Sequence, residues 1–200
     1  MRKLSLSKVL VLGTILLLAA CQPTLRVITG IKKPQVENVE RLEQYLADQN
    51  LQVEPEKSFY LPDEASFYGL TMFRDSLYRL PDVYLFNSAG EFLEENQLCL
   101  TTRSKEPRVD QLNYFSSIFQ VDSILSKKLA KSDLERFMVN AKGEKVKLPE
   151  GKTAVILWSK FLGDKINRKH IIGTREQILK ADQNIEIVYL NLDIQESWTD

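Results

Sequence analysis

The sequence predicts an α/β domain behind an N-terminal export signal, and three observations support the domain. Thr153 to Trp158 and Ile185 to Leu190 are nearly unbroken apolar runs, the pattern of strands buried on both faces, as in a parallel sheet. The span between them, Gly163 to Ala181, reads as a helix, giving a βαβ unit whose crossover should be right-handed. Upstream, Asp82 to Phe86 and Glu91 to Glu94 flank the turn Asn87-Ser88-Ala89-Gly90. This reads as a hairpin, with Gly90 in the left-handed position of its loop.

In chain order, Val36, Val39, Leu42 and Leu46 recur at helical spacing after Pro34, with Glu37, Glu40, Arg41 and Glu43 on other faces. Ser58 to Leu61 reads as a short strand. After Pro62-Asp63, Phe67, Leu70, Phe73 and Leu77 predict a second helix, weakened by Gly69 and ended by Pro81. Beyond the hairpin, Val109, Leu112, Phe115 and Phe119 mark a further helix, and Leu125 with Leu129 a following segment. Ser132 and Glu135 match a capping box. Asn140-Ala141-Lys142-Gly143-Glu144 repeats the Asn, Gly and Glu offsets of the first turn, which a shared turn type explains more simply than a repeat. In the long helix Asp164 reads as the N-cap, Gly173 as an interruption, and Thr174 with Gln177 as a second capping box.

The N-terminus carries an address. Arg2, Lys3 and Lys8 lead into an apolar stretch from Val9 to Ala20 that ends in two small residues and Cys21, the layout of a secretory signal. The stretch is too short to cross a hydrocarbon core of roughly 30 Å as a helix. The leader holds three of the 27 basic residues and none of the 27 acidic ones, so the remainder carries a net charge of −3. Nothing in that balance suggests nucleic acid as a partner, which would want a strongly basic face. Of the two cysteines, Cys21 and Cys99, the second sits in Leu98-Cys99-Leu100, with no adjacent Lys or His to activate a thiolate. It reads as buried and inert.

Two resemblances add to this reading. Leu18-Ala19-Ala20-Cys21 resembles the lipobox of bacterial lipoproteins. This implies cleavage of residues 1–20, acylation of Cys21, and a lipidated tether over 21–34. Several acyl chains bind a membrane durably where one does not. Gln22 after the cysteine implies outer-membrane sorting. With no acidic cluster following, the expected location is the periplasmic face of the outer membrane in the bacterial cell envelope.

The segment from Phe137 to Trp198 resembles the first half of a redoxin domain, the thioredoxin-like fold of membrane-tethered thiol–disulfide oxidoreductases. The matching pieces are the hairpin Val139 to Val146, Gly151-Lys152, Val155-Ile156-Leu157-Trp158, and Tyr189-Leu190-Asn191-Leu192-Asp193. The family's Cys-x-x-Cys pair follows the first central strand, where this chain reads Ser159-Lys160-Phe161-Leu162-Gly163-Asp164-Lys165. No catalytic residue carries over. The family's proline-led antiparallel hairpin and closing helix are found upstream instead, in Leu80 to Phe86, the turn through Gly90, and Val109 to Phe119. The resemblance therefore implies a thioredoxin-like sheet flanked by helices and circularly permuted, spanning residues 35–200, with a subdivision point near 121–137. The rival arrangement makes residues 35–120 a separate subdomain beside a truncated redoxin half.

In open α/β sheets ligands sit beyond the carboxyl ends of the strands. That edge offers Ser159, Lys160, Asp164 and Lys165 after one strand, and Asp193, Glu196 and Trp198 after the other. A strand-edge site of Trp158, Lys160, Lys165, Asp193 and Trp198 would hold a small zwitterion or a partner loop, whereas the plainer reading is a solvated edge with ordinary ion pairs. His170, the sole histidine, reads as a helix-surface residue, and Lys165, Arg168, Lys169 and Arg175 as a solvated basic face. No residue spacing suggests a metal site or a phosphate loop. The expectation is a non-catalytic, lipid-anchored envelope protein without cofactor. It would meet the membrane through acyl chains on Cys21, and an envelope protein through its domain. The alternatives are a single-cysteine redox or peroxide-reacting enzyme using Cys99, and a small-ligand binder at the strand edge.

Overall fold

The computed structural model describes residues 30–51, 53–73, 82–93 and 130–198. Cys21, Leu77, Pro81, Cys99, the helix read over 109–119 and the segment at Leu125 and Leu129 lie outside the described residues.

Strand β1 (Val36–Glu37) leads into helix α1 (Val39–Asp48). The Asn38 side-chain oxygen accepts from the Arg41 amide at 2.9 Å, satisfying one of the orphan N–H groups of the first turn. The cap starts the helix after Asn38, so Val36, which the periodicity gave to the helix, belongs to β1. Strand β2 (Ser58–Phe59) and helix α2 (Glu64–Phe73) follow. The Asp63 carboxylate accepts from the Ser66 amide at 2.6 Å, which opens α2. Gly69 is the point where α2 meets Phe137, for a Cβ there would run into the aromatic ring.

Strand β3 (Asp82–Phe86) turns at Asn87, whose side-chain oxygen accepts from the amides of Ala89 at 3.0 Å and Glu91 at 2.9 Å. Gly90 supplies φ +78°. The turn at Asn140 is the same device: its oxygen accepts from Lys142 at 2.9 Å and Glu144 at 3.0 Å, and Gly143 has φ +78°. In both turns the Asn amide also donates to the Glu carboxylate four residues on. The echo in the sequence is a shared turn chemistry.

Helix α3 (Lys131–Glu135) is started by Asp133, whose carboxylate accepts from the Ala130 amide at 3.0 Å. Glu135, expected in a capping box with Ser132, accepts from the Leu148 amide instead. Strand β4 (Thr153–Trp158), helix α4 (Asp164–Ala181), strand β5 (Glu186–Asn191) and strand β6 (Ile194–Gln195) complete the described elements. Gly163 is the N-cap of α4 and Asp164 lies inside its first turn. The helix runs unbroken through Gly173, and the Thr174 hydroxyl faces the His170 ring rather than opening a new turn.

The main sheet has the order β2-β5-β4-β3, with β2, β5 and β4 parallel and β3 antiparallel to β4. Phe92 bridges Phe86, so the hairpin continues outward from β3. Side chains alternate across the sheet. Ala154, Ile156 and Trp158 of β4 share a core with Leu42, Tyr45 and Leu46 of α1 and Ile171 and Ile178 of α4. Val155 and Leu157 face the other core, with Leu70 of α2, Leu134 of α3 and Met138. The architecture is a small mixed sheet with helices on both faces. Both central strands are covered on both faces from Thr153 to Trp158 and from Ile187 to Asn191, which is why they read as continuous apolar runs rather than alternating ones. A separate two-stranded sheet pairs β1 with β6 in parallel, Val36 opposite Ile194 and Glu37 opposite Gln195.

Candidate functional site

Parallel strands β4 and β5 end at the same edge, and their register brings Trp158 opposite Asn191. The chain must turn away from each strand there, which leaves backbone N–H groups needing acceptors. Asp193 supplies them. Its carboxylate accepts from the Ser159 hydroxyl at 2.6 Å, the Lys160 amide at 2.7 Å and the Asn191 side-chain amide at 2.8 Å. The Asp193 amide in turn donates to the Asn191 side-chain oxygen at 3.0 Å, the local turn that Asn residues favour. Asp193 is 3 % exposed, and burial pushes its carboxyl above the usual carboxylate range while these donors pull it back. A carboxylate so enclosed fixes the Ser159 to Gly163 turn and has no face toward a substrate. Ser159 is fully buried and commits its proton to Asp193. The edge therefore holds a clasp built on a buried Ser159–Asp193 hydrogen bond.

Behind the clasp, the Asn167 side-chain amide donates to the Ser159 carbonyl at 2.8 Å and to the Tyr45 hydroxyl at 3.0 Å. Tyr45 stacks on Trp158 with ring centroids 6.1 Å apart and planes 8° off parallel. Burial pushes the Tyr45 phenol up to about 12. The ammonium groups of Lys32 and Lys160 lie 5.8 and 6.0 Å from the centroid of the Tyr45 ring.

Over the edge runs an extended strap, from Gly30 to Glu37. The Lys32 amide donates to the Phe161 carbonyl at 2.7 Å, and the Lys32 ammonium pairs with Asp164 at 2.7 Å. This contact holds the Asp164 carboxyl below the usual carboxylate range. Gly163 has φ +84°, and a Cβ there would collide with the Gly30 carbonyl. Further along, the buried Glu37 carboxylate pairs with the Lys160 ammonium at 2.8 Å. Glu196 pairs with Arg41 and accepts from Asn38.

The five residues read as a strand-edge site are thus divided. Lys160 and Asp193 come together in the turn, one paired with Glu37 and the other enclosed by donors. Trp158 is 1 % exposed on the α1/α4 side of the sheet. Trp198 packs on the opposite side, where its indole N–H donates to the Leu61 carbonyl at 2.9 Å. Lys165 is exposed on the first turn of α4. His170, expected on the helix surface, is buried at 3 % exposure with Nε2 3.0 Å from the Leu157 carbonyl, and burial pushes its pKa down to about 4. Glu37, Tyr45, Asn167 and Asn191 were not legible as members of this edge. Only Asn191 carried a signal, as an Asn two residues before an Asp at a strand end.

A recess of about 180 Å³ opens elsewhere, at the start of β5, between Lys57, Arg175, Ile185 and Glu186. Lys57 is paired there with Glu54 at 3.2 Å and Glu186 at 3.6 Å. Among the described residues no group of three His, Cys, Asp or Glu side chains is arranged to hold a metal ion, and no helix is long and apolar enough to cross a membrane. Comparisons with protein-family models, curated proteins and solved structures find no match to this chain.

Proposed function

We propose that this protein is a lipid-anchored component of the bacterial envelope, held at the periplasmic face of the outer membrane through Cys21, whose domain is a non-catalytic protein-binding module on a permuted thioredoxin-like sheet. The order and sense of the strands support the fold. β4 lies between parallel β5 and antiparallel β3, and β3 opens a hairpin, as a permuted sheet of that kind requires. Pro81 immediately precedes β3 in the sequence, where the family keeps its proline.

The observation that carries the non-catalytic reading is the turn after β4. Where the resemblance calls for two thiols, Ser159 and the Lys160 amide are bound to Asp193. A fold hosts sites rather than implying them, so a thioredoxin-like sheet without thiols is available for recognition.

The test is metabolic labelling with a palmitate analogue, followed by capture from detergent-solubilised envelopes, for the native protein and Cys21→Ala. The expected result is label in the native protein alone and an envelope partner captured by that form. Label retained in Cys21→Ala would overturn the anchor. An absence of partners in both forms would overturn the binding module.

A further inference from the structure

Resting on the binding-module reading, we infer that the carboxyl edge of the sheet is a groove for an extended peptide, occupied in cis by the chain's own residues 30–37. Two kinds of observation lead there. The first is what the strap contributes: backbone pairing and charge, with little core. Its apolar residues point outward, Ile31 at 38 % exposure and Val36 at 42 %, and Ile194 opposite Val36 is 40 % exposed. The Lys32–Asp164 pair has side chains half exposed on both partners, the class of ion pair that contributes least to stability.

The second is what the strap covers. Lifting it uncovers the Phe161 carbonyl, the strand edge of β6 at Ile194–Gln195, and the side chains of Asp164 and Lys160. Backbone groups in an open edge call for another strand. Strand addition of this kind takes affinity from main-chain bonds and selectivity from the flanking side-chain positions.

The strap itself gives the pattern of the occupant. The residue that crosses Gly163 adopts the left-handed backbone that glycine favours, as Gly30 does at φ +74°. A cation two positions on faces Asp164, as Lys32 does. A carboxylate five positions further faces Lys160, as Glu37 does, with the segment parallel to β6. The partner is therefore an extended protein segment of the form Gly-x-Lys-x-x-x-x-Glu, which exchanges with the strap.

The experiment uses the full-length protein in detergent and a fluorescent peptide of residues 30–38. In Lys32→Glu/Glu37→Lys the strap is repelled by the groove, so the Lys32 amide exchanges faster and the native-sequence peptide binds. Wild type binds the peptide at least about a hundredfold more weakly, because a tethered strap competes at high effective concentration. Adding Lys160→Glu and Asp164→Lys restores the charge match in cis. This four-site variant regains amide protection and loses the peptide, a readout that misfolding would not produce. The proposal falls if the peptide binds neither wild type nor the double variant, or if it binds the four-site variant as well as the double one. An envelope partner captured by the double variant and not displaced from it by the peptide would sink this groove and leave the binding module standing. Peptide binding without any captured partner would do the reverse.

Discussion

His170 shows how one side chain can be misjudged from its neighbours in sequence. Lys165, Arg168 and Lys169 make its surroundings look solvated, yet His170 lies on the stripe of α4 that includes Asn167, Ile171 and Thr174, and that stripe is buried. Its Nε2–H meets the Leu157 carbonyl and its other ring nitrogen faces the Thr174 hydroxyl. The ring is therefore folded in as the neutral imidazole. Its folded pKa of about 4 lies below the unfolded value near 6.5, so the unfolded chain binds the extra proton first. Its contribution is complete above about pH 6.5 and is lost as the pH falls toward 4, on the order of 3 kcal/mol in all. Asp193 acts in the opposite sense, because a carboxyl with raised pKa gains its proton more readily in the folded state. His170→Gln keeps a donor for the Leu157 carbonyl and cannot titrate. Urea titrations of both proteins at pH 7.5, 5.5 and 4.5 should show a steeper loss for the native one, since Asp193 is common to both. Equal slopes would mean that His170 takes up its proton within the fold.

At the scale of elements, Gly69 separates propensity from packing. On propensity alone, Gly69→Ala within α2 would stabilise by up to about 1 kcal/mol. The structure gives the opposite sign. The new Cβ would enter the Phe137 ring, and Phe137 is packed against the core that holds Leu70 and Leu134. Overpacking of this kind costs about 1–3 kcal/mol, so Gly69→Ala should lower the urea midpoint, and Phe137→Leu should recover part of the loss in the double variant. A midpoint raised by Gly69→Ala would show the ring to be readily displaced.

The elements that could be read from the sequence are those whose signals are local. The two Asn-x-x-Gly-Glu turns carry their acceptors, their carboxylate and their left-handed glycine within five residues. The runs that became β4 and β5 are apolar because both of their faces are covered. Caps were less legible, because the sequence does not distinguish a carboxylate that turns back on the helix start, as Asp133 does to the Ala130 amide, from one that reaches elsewhere, as Glu135 does to the Leu148 amide.

Across the whole molecule, the edge that the sequence singled out by topology is held by contacts that topology does not encode. Glu37 and Lys160 are 123 positions apart, and Asn38 and Glu196 are 158 apart, so no spacing rule could pair them. The same distance in sequence suggests how the fold comes apart. β4 and β5 pair along six residues each and are buried on both faces, whereas β1 and β6 pair along two, and their apolar pair, Val36 and Ile194, is exposed. Segments with few buried apolar contacts open locally, well below the free energy of global unfolding. Native-state amide exchange should therefore fall into two classes. Amides of Val155 to Leu157 and Val188 to Leu190 should exchange only through global unfolding and follow its denaturant dependence. The Lys32 amide and those of the β1–β6 pair should exchange faster, by an opening that is insensitive to denaturant and sensitive to salt, because the Lys32–Asp164 pair that holds the strap is an exposed ion pair. Uniform protection would place the strap inside the cooperative core, and a segment that unfolds only with the sheet cannot yield its groove to a partner.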